Sequence, residues 1–399
     1  MMLGNMRSNK ATALVVGVVI FLAAFVGLAY NHLEPWQRPN ADTTDTDLAI
    51  SEPEKGDKTA ATTAATVPET TSTPSPDTSS ADALKELRTV YLEQLMKLKF
   101  KPGDESIKNY GVFEAKLPTK PYFTEGLGEK LCIIDMDSRP FDEPGQIFSE
   151  DGMTWDDAET VHGLSLGLLN HWVFAKIHGY KYYYVNTVPY EDRRDSWKKP
   201  PIMSALLKNH ETCIFLDSDA VFNRLDVPFE WLMNYWEINS KNNSLALAAD
   251  PNAKENQDKF GKVYLNTGFI VAQNNEKTFE IFDEWQDCPN DGGRHPECSE
   301  FKKNRPGKPT DQGGFGTYIR YDYPKDIKEL KCTEANGFPE SHSGCEGTYI
   351  KHLWTGKSNH IKVAIGQQLP GDLLAAFHSQ FLKEKKDFFI SETDLLSQK

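Results

Sequence analysis

Cys213-Ile-Phe-Leu-Asp217-Ser218-Asp219-Ala-Val-Phe222 is an apolar run that stops abruptly on two carboxylates with one residue between them. Runs of this kind, rich in β-branched and aromatic residues, read as buried strands of a parallel sheet. Open α/β sheets bind ligands beyond the carboxyl ends of such strands. Paired hard oxygen donors suit Mg²⁺ or Mn²⁺, which bind through one or two carboxylates plus substrate phosphates. A single acid would serve as a helix N-cap. Two acids at i and i+2 after a fully apolar strand favour metal–phosphate work.

The flanking sequence alternates in the same style. Lys130-Leu-Cys-Ile-Ile-Asp135, Tyr182-Tyr-Tyr-Val185, Leu245-Ala-Leu-Ala-Ala249 and Phe269-Ile-Val-Ala272 read as further strands. Helices are expected over Glu159 to Ile177, stopped by His178-Gly179, over Trp197 to Lys208, opened by Pro200-Pro201, and over Glu276 to Asp287. This β-α-β alternation implies an α/β fold with a mainly parallel sheet.

The chain has 399 residues and a formal net charge of -14. Acidic chains repel nucleic-acid backbones, and no Lys/Arg cluster opposes that here, so nucleic acid is excluded as a partner. Ala11 to Tyr30 is apolar and uncharged, with Arg7 and Lys10 before it and Glu34, Asp42, Asp45 and Asp47 after it. A helix of that length spans a bilayer core of ~30 Å, and the charge bias leaves the N-terminus in the cytosol. The expected order is a cytoplasmic tail (1–10), a transmembrane signal anchor (11–30) and a disordered Ser/Thr/Pro-rich stem (31–81). A stalk helix and linker (82–120), a catalytic domain (121–390) and a short tail (391–399) follow. The stem is Thr-, Ser-, Ala- and Pro-rich, too poor in apolar groups to fold. Leu84, Leu87, Tyr91, Leu95 and Leu98 recur at helical spacing in the stalk.

The six cysteines suit an oxidising lumen. Cys288 with Cys298, and Cys332 with Cys345, bracket polar loops and are expected to close them. Cys132 and Cys213 lie inside apolar strands and read as buried thiols. Asn242-Asn243-Ser244 has the pattern of an N-glycan acceptor.

Further motifs follow the acidic pair in order: Leu265-Asn266-Thr267-Gly268, Asp311-Gln312 and His352-Leu-Trp-Thr-Gly356-Lys357. Upstream stand Leu169-Asn170, Ala175-Lys-Ile-His178-Gly179-Tyr180 and Trp197-Lys-Lys199-Pro200. This ordered set resembles the retaining GT-A glycosyltransferases, in particular the fungal and plant family of α-galactosyl-, α-mannosyl- and xylosyltransferases. Two features depart from that family. The aromatic-rich segment before Asp217 is absent, and one extra residue separates His352 from Gly356.

The resemblance implies a GT-A fold, Rossmann-like, with a mainly parallel mixed sheet and helices on both faces. It implies a metal-dependent transfer of sugar from a UDP- or GDP-linked donor to a glycan hydroxyl. Asp217, Asp219 and His352 would hold Mn²⁺ or Mg²⁺, with His360 as the reserve ligand. Gly356 and Lys357 would meet the diphosphate, and Lys199 (or Lys198) the nucleotide. Asn266 and Gly268 would line the acceptor side. Asp311 and Gln312 would lie beneath the anomeric carbon, one of them stabilising positive charge on the sugar; a covalent intermediate on Asp311 is the alternative. With the anchor and stem, these features place a type II protein in the Golgi membrane, alone or in a homo-oligomer or glycosyltransferase complex.

Two other readings compete. An apolar strand followed by Asp-x-Asp also opens haloacid-dehalogenase-like phosphatases, and Ile133-Ile-Asp135-Met-Asp137 has the same outline. That chemistry needs a downstream acidic pair, and at Gly371-Asp372 the second acid is replaced by Ala376. An inactive nucleotide-sugar-binding homologue is the third reading.

Overall fold

The computed structural model describes residues 100–109, 113–153, 160–303, 310–366, 368 and 371–397. The expected anchor, stem and stalk leucines lie outside the described residues. Among the described residues no helix is long and apolar enough to cross a membrane.

The first elements among the described residues are β1 (Ser106–Asn109) and β2 (Phe113–Lys116), which pair antiparallel. The main sheet then opens with β3 (Leu131–Asp137), followed by α1 (Gly163–His178) and β4 (Lys181–Asn186). Next come α2 (Lys199–Leu207), β5 (Thr212–Leu216), the short β6 (Ala220–Phe222) and α3 (Phe229–Trp236). β7 (Leu245–Ala249), β8 (Leu265–Gln273) and α4 (Glu276–Asp287) follow. α5 (Thr310–Gly314) runs into a π-helical turn over Phe315–Ile319. The remainder is β9 (Ile327–Leu330), α6 (Cys332–Ala335), β10 (Ile350–His352), α7 (Lys357–Gly366), α8 (Gly371–Phe388), β11 (Phe389–Ser391) and α9 (Glu392–Ser397).

The main sheet has seven strands in the order β11-β4-β3-β5-β8-β7-β9. All neighbours are parallel except that β8 runs against both β5 and β7. The result is an α/β fold with a mainly parallel, mixed sheet. Alternate residues feed two cores, as period-two strands buried on both faces must. Ile133, Ile214, Ala246 and Val271 join α1 and α3 on one side. Ile134, Phe215, Leu247 and Ile270 join α2, α4 and the π-helical turn on the other.

α1 ends as its sequence dictates, with Gly179 in the left-handed region (φ 72°) capping Ala175. The chain leaves β3 toward β4 on one side, then returns to place β5 on the other side of β3. That reversal leaves a crevice at the carboxyl ends of β3 and β5. Asp217 is the first residue beyond β5.

One expectation about the cysteines fails. Cys132 and Cys213 are not thiols; they form a disulfide. They are direct partners across the parallel β3–β5 ladder, with Cα atoms 4.5 Å apart, and both side chains point into the same core. The disulfides Cys288–Cys298 and Cys332–Cys345 are formed as expected.

Candidate active site

Past β5 the chain makes a tight turn, Ala220 N–H donating to the Asp217 carbonyl at 2.8 Å. Asp217 N–H donates to Gly268 O, so the β5–β8 ladder runs up to the first acid. β6 then pairs antiparallel with β10, setting His352 directly opposite Ala220. Leu353 N–H donates to Asp219 O at 2.8 Å and locks the two strands together. Asp217, Asp219 and His352 thereby converge, each with one ligand atom within 4.8 Å of the others.

The electrostatics of this group are strongly set. His352 Nε2 lies 3.3 Å from Asp219 Oδ1, and Lys357 Nζ lies 2.8 Å from Asp219 Oδ2. Burial alone would raise the Asp219 pKa; His352 and Lys357 outweigh it and hold the carboxyl well below the usual carboxylate range. Burial would lower the His352 pKa, but the Asp219 carboxylate overcomes it and raises it. His352 Nδ1 is buried and meets no protein partner. Two carboxylates and the imidazole that faces them form an O/O/N donor set that a divalent metal can take. The residues present therefore fit such an ion.

Gly268 makes this approach possible. A Cβ there would stand 2.3 Å from His352 Cε1 and 2.8 Å from Asp217 Oδ2. Gly356 adopts φ 56°, a left-handed turn that brings Lys357 to the first position of α7.

Lys199 enters from below. Its ammonium donates to Thr267 O at 2.9 Å and pairs with Asp217 Oδ1 at 3.0 Å and Asp311 Oδ2 at 3.6 Å. Burial would lower the Lys199 pKa, but Asp217 and Asp311 outweigh it and raise it. Thr267 Oγ1 donates to Asp311 Oδ2 at 2.8 Å, fixing the buried carboxylate under the ammonium. Lys198, the neighbouring lysine, points elsewhere and pairs with Glu392 at 2.7 Å, so it does not join the site.

Asp250 was not singled out by the sequence, and it organises one side of the site. Its Oδ1 accepts from Asn266 Nδ2 at 2.8 Å and Asn336 Nδ2 at 3.2 Å, and its Oδ2 from Gln312 Nε2 at 2.5 Å. Each amide then turns its oxygen to a backbone N–H: Asn266 to Gly268, Gln312 to Thr267 and Asn336 to Gly337. Burial raises the Asp250 pKa, and the amide donors and His352 partly counter it. The available signal was an acid directly after the strand Leu245–Ala249, masked by Pro251, which makes the segment read as a turn.

His360 does not join the donor group; its Nδ1 faces Thr355 O at 2.9 Å and its ring lies against Phe338. The other Asp-x-Asp, at the end of β3, is committed to structure. Asp135 is buried between His171 and Tyr182, and Asp137 pairs with Arg139.

Residues 193–334 match the family model described as nucleotide-diphospho-sugar transferase. The matched stretch carries Lys199, Asp217, Asp219, Asp250, Asn266, Gly268, Asp311 and Gln312. No curated protein matches the chain. Among solved structures, it is similar to a glycosyltransferase involved in glycosylation of the major capsid of PBCV-1. That likeness has a TM-score of 0.40 and 14% identity, over 58% of this chain and 98% of that one. It is also similar to the glycosyltransferase GlyE of Streptococcus pneumoniae TIGR4, with a TM-score of 0.36 and 11% identity, over 65% of this chain and 64% of that one. The family match covers the strands and turns that carry both aspartates, while His352 and Lys357 lie beyond it, and it supports the class of protein: a glycosyltransferase.

Proposed function

We propose that the protein is a metal-dependent, retaining glycosyltransferase of the GT-A type. It transfers a hexose or pentose from a UDP- or GDP-linked donor to a hydroxyl of a glycan. The observation that carries this reading is the convergence of Asp217, Asp219 and buried His352, whose Nε2 faces Asp219, beside Lys357. Asp217, Asp219 and His352 would hold Mn²⁺ or Mg²⁺, which would supply positive charge to neutralise a diphosphate leaving group. Lys357, half exposed at the start of α7, turns from Asp219 to the diphosphate as a point charge. Gly356 lets the backbone approach the same group.

Lys199 steadies Asp217 from beneath and shares its charge with Asp311. Asp311 supplies fixed negative charge under the anomeric carbon, where positive charge develops. Gln312, pinned by Asp250 and Thr267, presents its amide on the same floor. Asp311 is 1% exposed and its Oδ2 is engaged by Thr267, which favours electrostatic stabilisation over a covalent bond to this carboxylate. Asn266 and Gly268 form the acceptor side. In this reading residues 11–30 anchor a type II protein in the Golgi membrane, and the disulfides and the exposed Asn242 suit a lumenal domain. The test is turnover of a nucleotide-sugar by the purified protein with and without Mn²⁺, with Asp219→Ala as the inactive control.

A further inference from the structure

We infer that His171, held by Asp135, is a positioning residue that sets the spacing of Asp219 and His352. The inference rests on the metal-site reading above and names a determinant of that site that lies outside it.

One face of α1 presents Gly163, Gly167 and His171, one helical turn apart. A Cβ on Gly167 would stand 1.9 Å from Ser218 O, so the helix backbone lies directly against the middle of the carboxylate turn. A Cβ on Gly163 would stand 2.8 Å from Ser358, the residue after Lys357. His171 completes the face, its Nε2 lying 2.8 Å from Ala220 O. Ala220 follows Asp219 directly and is the strand partner of His352. The neighbouring Asn170 holds the far end of β6, donating to Phe222 O at 3.2 Å and accepting from Phe222 N–H at 2.8 Å.

The chemistry of the ring fixes its orientation. A carbonyl only accepts, so His171 Nε2 carries a proton and donates to Ala220. Nδ1 then faces Asp135 Oδ1 at 2.8 Å, and Tyr182 Oη donates to Asp135 Oδ2 at 2.6 Å. His171, Asp135 and Tyr182 are all buried, so a rotated ring would forfeit both of its bonds without water to replace them. A phenyl ring would fill the same volume but would release Ala220. Asp219 and His352, on either side of that residue, would then lose their common reference point. His171 itself is fully buried.

The experiment is Mn²⁺ binding to the substrate-free full-length protein, read by electron paramagnetic resonance of free Mn²⁺. Wild type should bind and Asp219→Ala should not. His171→Phe should raise the Mn²⁺ Kd about 10–100-fold, and should raise the Mn²⁺ concentration for half-maximal activity while kcat at saturating Mn²⁺ stays within a few-fold. Gly167→Ala, which displaces Ser218 without removing a polar group, should weaken Mn²⁺ in the same direction and serves if His171→Phe does not fold. Wild-type Mn²⁺ affinity in a folded His171→Phe or Gly167→Ala protein overturns the inference and leaves the metal site standing. Absence of Mn²⁺ binding by wild type overturns both.

Discussion

Lys199 Nζ lies 3.0 Å from Asp217 Oδ1 and reaches that carboxylate from inside the protein, on a side chain that is 5% exposed. A buried ammonium between acids is tolerable only while its partners stay in place. Lys199→Met leaves Asp217 and the buried Asp311 facing each other without a counter-charge. Asp217 is about one-third exposed and solvent screens its share, so the expected loss of stability is about 3 kcal/mol, the lower end for breaking a buried pair. Urea unfolding measures it. Lys199→Arg should not restore activity, because the broad guanidinium must fit where one ammonium meets Thr267 O, Asp217 and Asp311.

Gly268→Ala tests how closely the histidine must approach. The new methyl would overlap His352 Cε1 and crowd Asp217 Oδ2. A displacement of about 1 Å at a reacting constellation costs on the order of 10²-fold in rate. The variant should fold, because the new methyl meets side-chain atoms and no backbone, yet lose activity by about that factor in a kcat/KM measurement. Wild-type kcat/KM in this variant would remove His352 from the site.

His178 gives the protein an acid-sensitive limb. Burial lowers its pKa from 6.5 to about 4, its Nε2 donating to Leu225 O and its Nδ1 meeting no partner. The unfolded chain therefore binds more protons between these two values. This contribution is fully present above pH 6.5 and is lost as pH falls toward about 4, at most about 3 kcal/mol in total. His178→Gln keeps a donor for Leu225 O without the titration. The stability difference between wild type and this variant should shift in favour of the variant from pH 7.5 to pH 4.5; an unchanged difference contradicts the assignment.

The Cys332–Cys345 disulfide braces the site from outside. Its loop supplies Asn336 to Asp250 and the Gly337 carbonyl to His352 N–H. Replacing both cysteines with serine should cost about 2–4 kcal/mol of stability. It should also reduce activity under conditions where the protein remains folded, because Asn336 and Gly337 touch the residues that frame the metal ligands. Full activity in a folded double variant would show that the brace is structural alone.

Much of this architecture was legible in the sequence because local pattern and tertiary role agree. The apolar runs at β3, β5 and β8 are buried on both faces, so their hydrophobicity is continuous. Asp217, Asp219, Asn266, Gly268, Asp311, Gln312, His352 and Lys357 stand in an ordered series, and the contacts of β5, β6, β8, β10 and α5 bring them together. What escaped depends on pairing that no local pattern encodes. Cys132 and Cys213 look like core thiols until the β3–β5 register sets them opposite each other. Asp250 looks like a turn residue until three amides from distant segments close on it. Gly163 and Gly167 look like weak points in a helix until the carboxylate turn and the start of α7 are seen against them.

The most direct test of the account is hydrolysis of a panel of UDP- and GDP-sugars by the purified protein. Nucleoside diphosphate should be released from at least one donor with Mn²⁺ or Mg²⁺. EDTA should abolish the release, added metal should restore it, and Asp219→Ala should lack it. Turnover that survives EDTA or Asp219→Ala would contradict the proposed function.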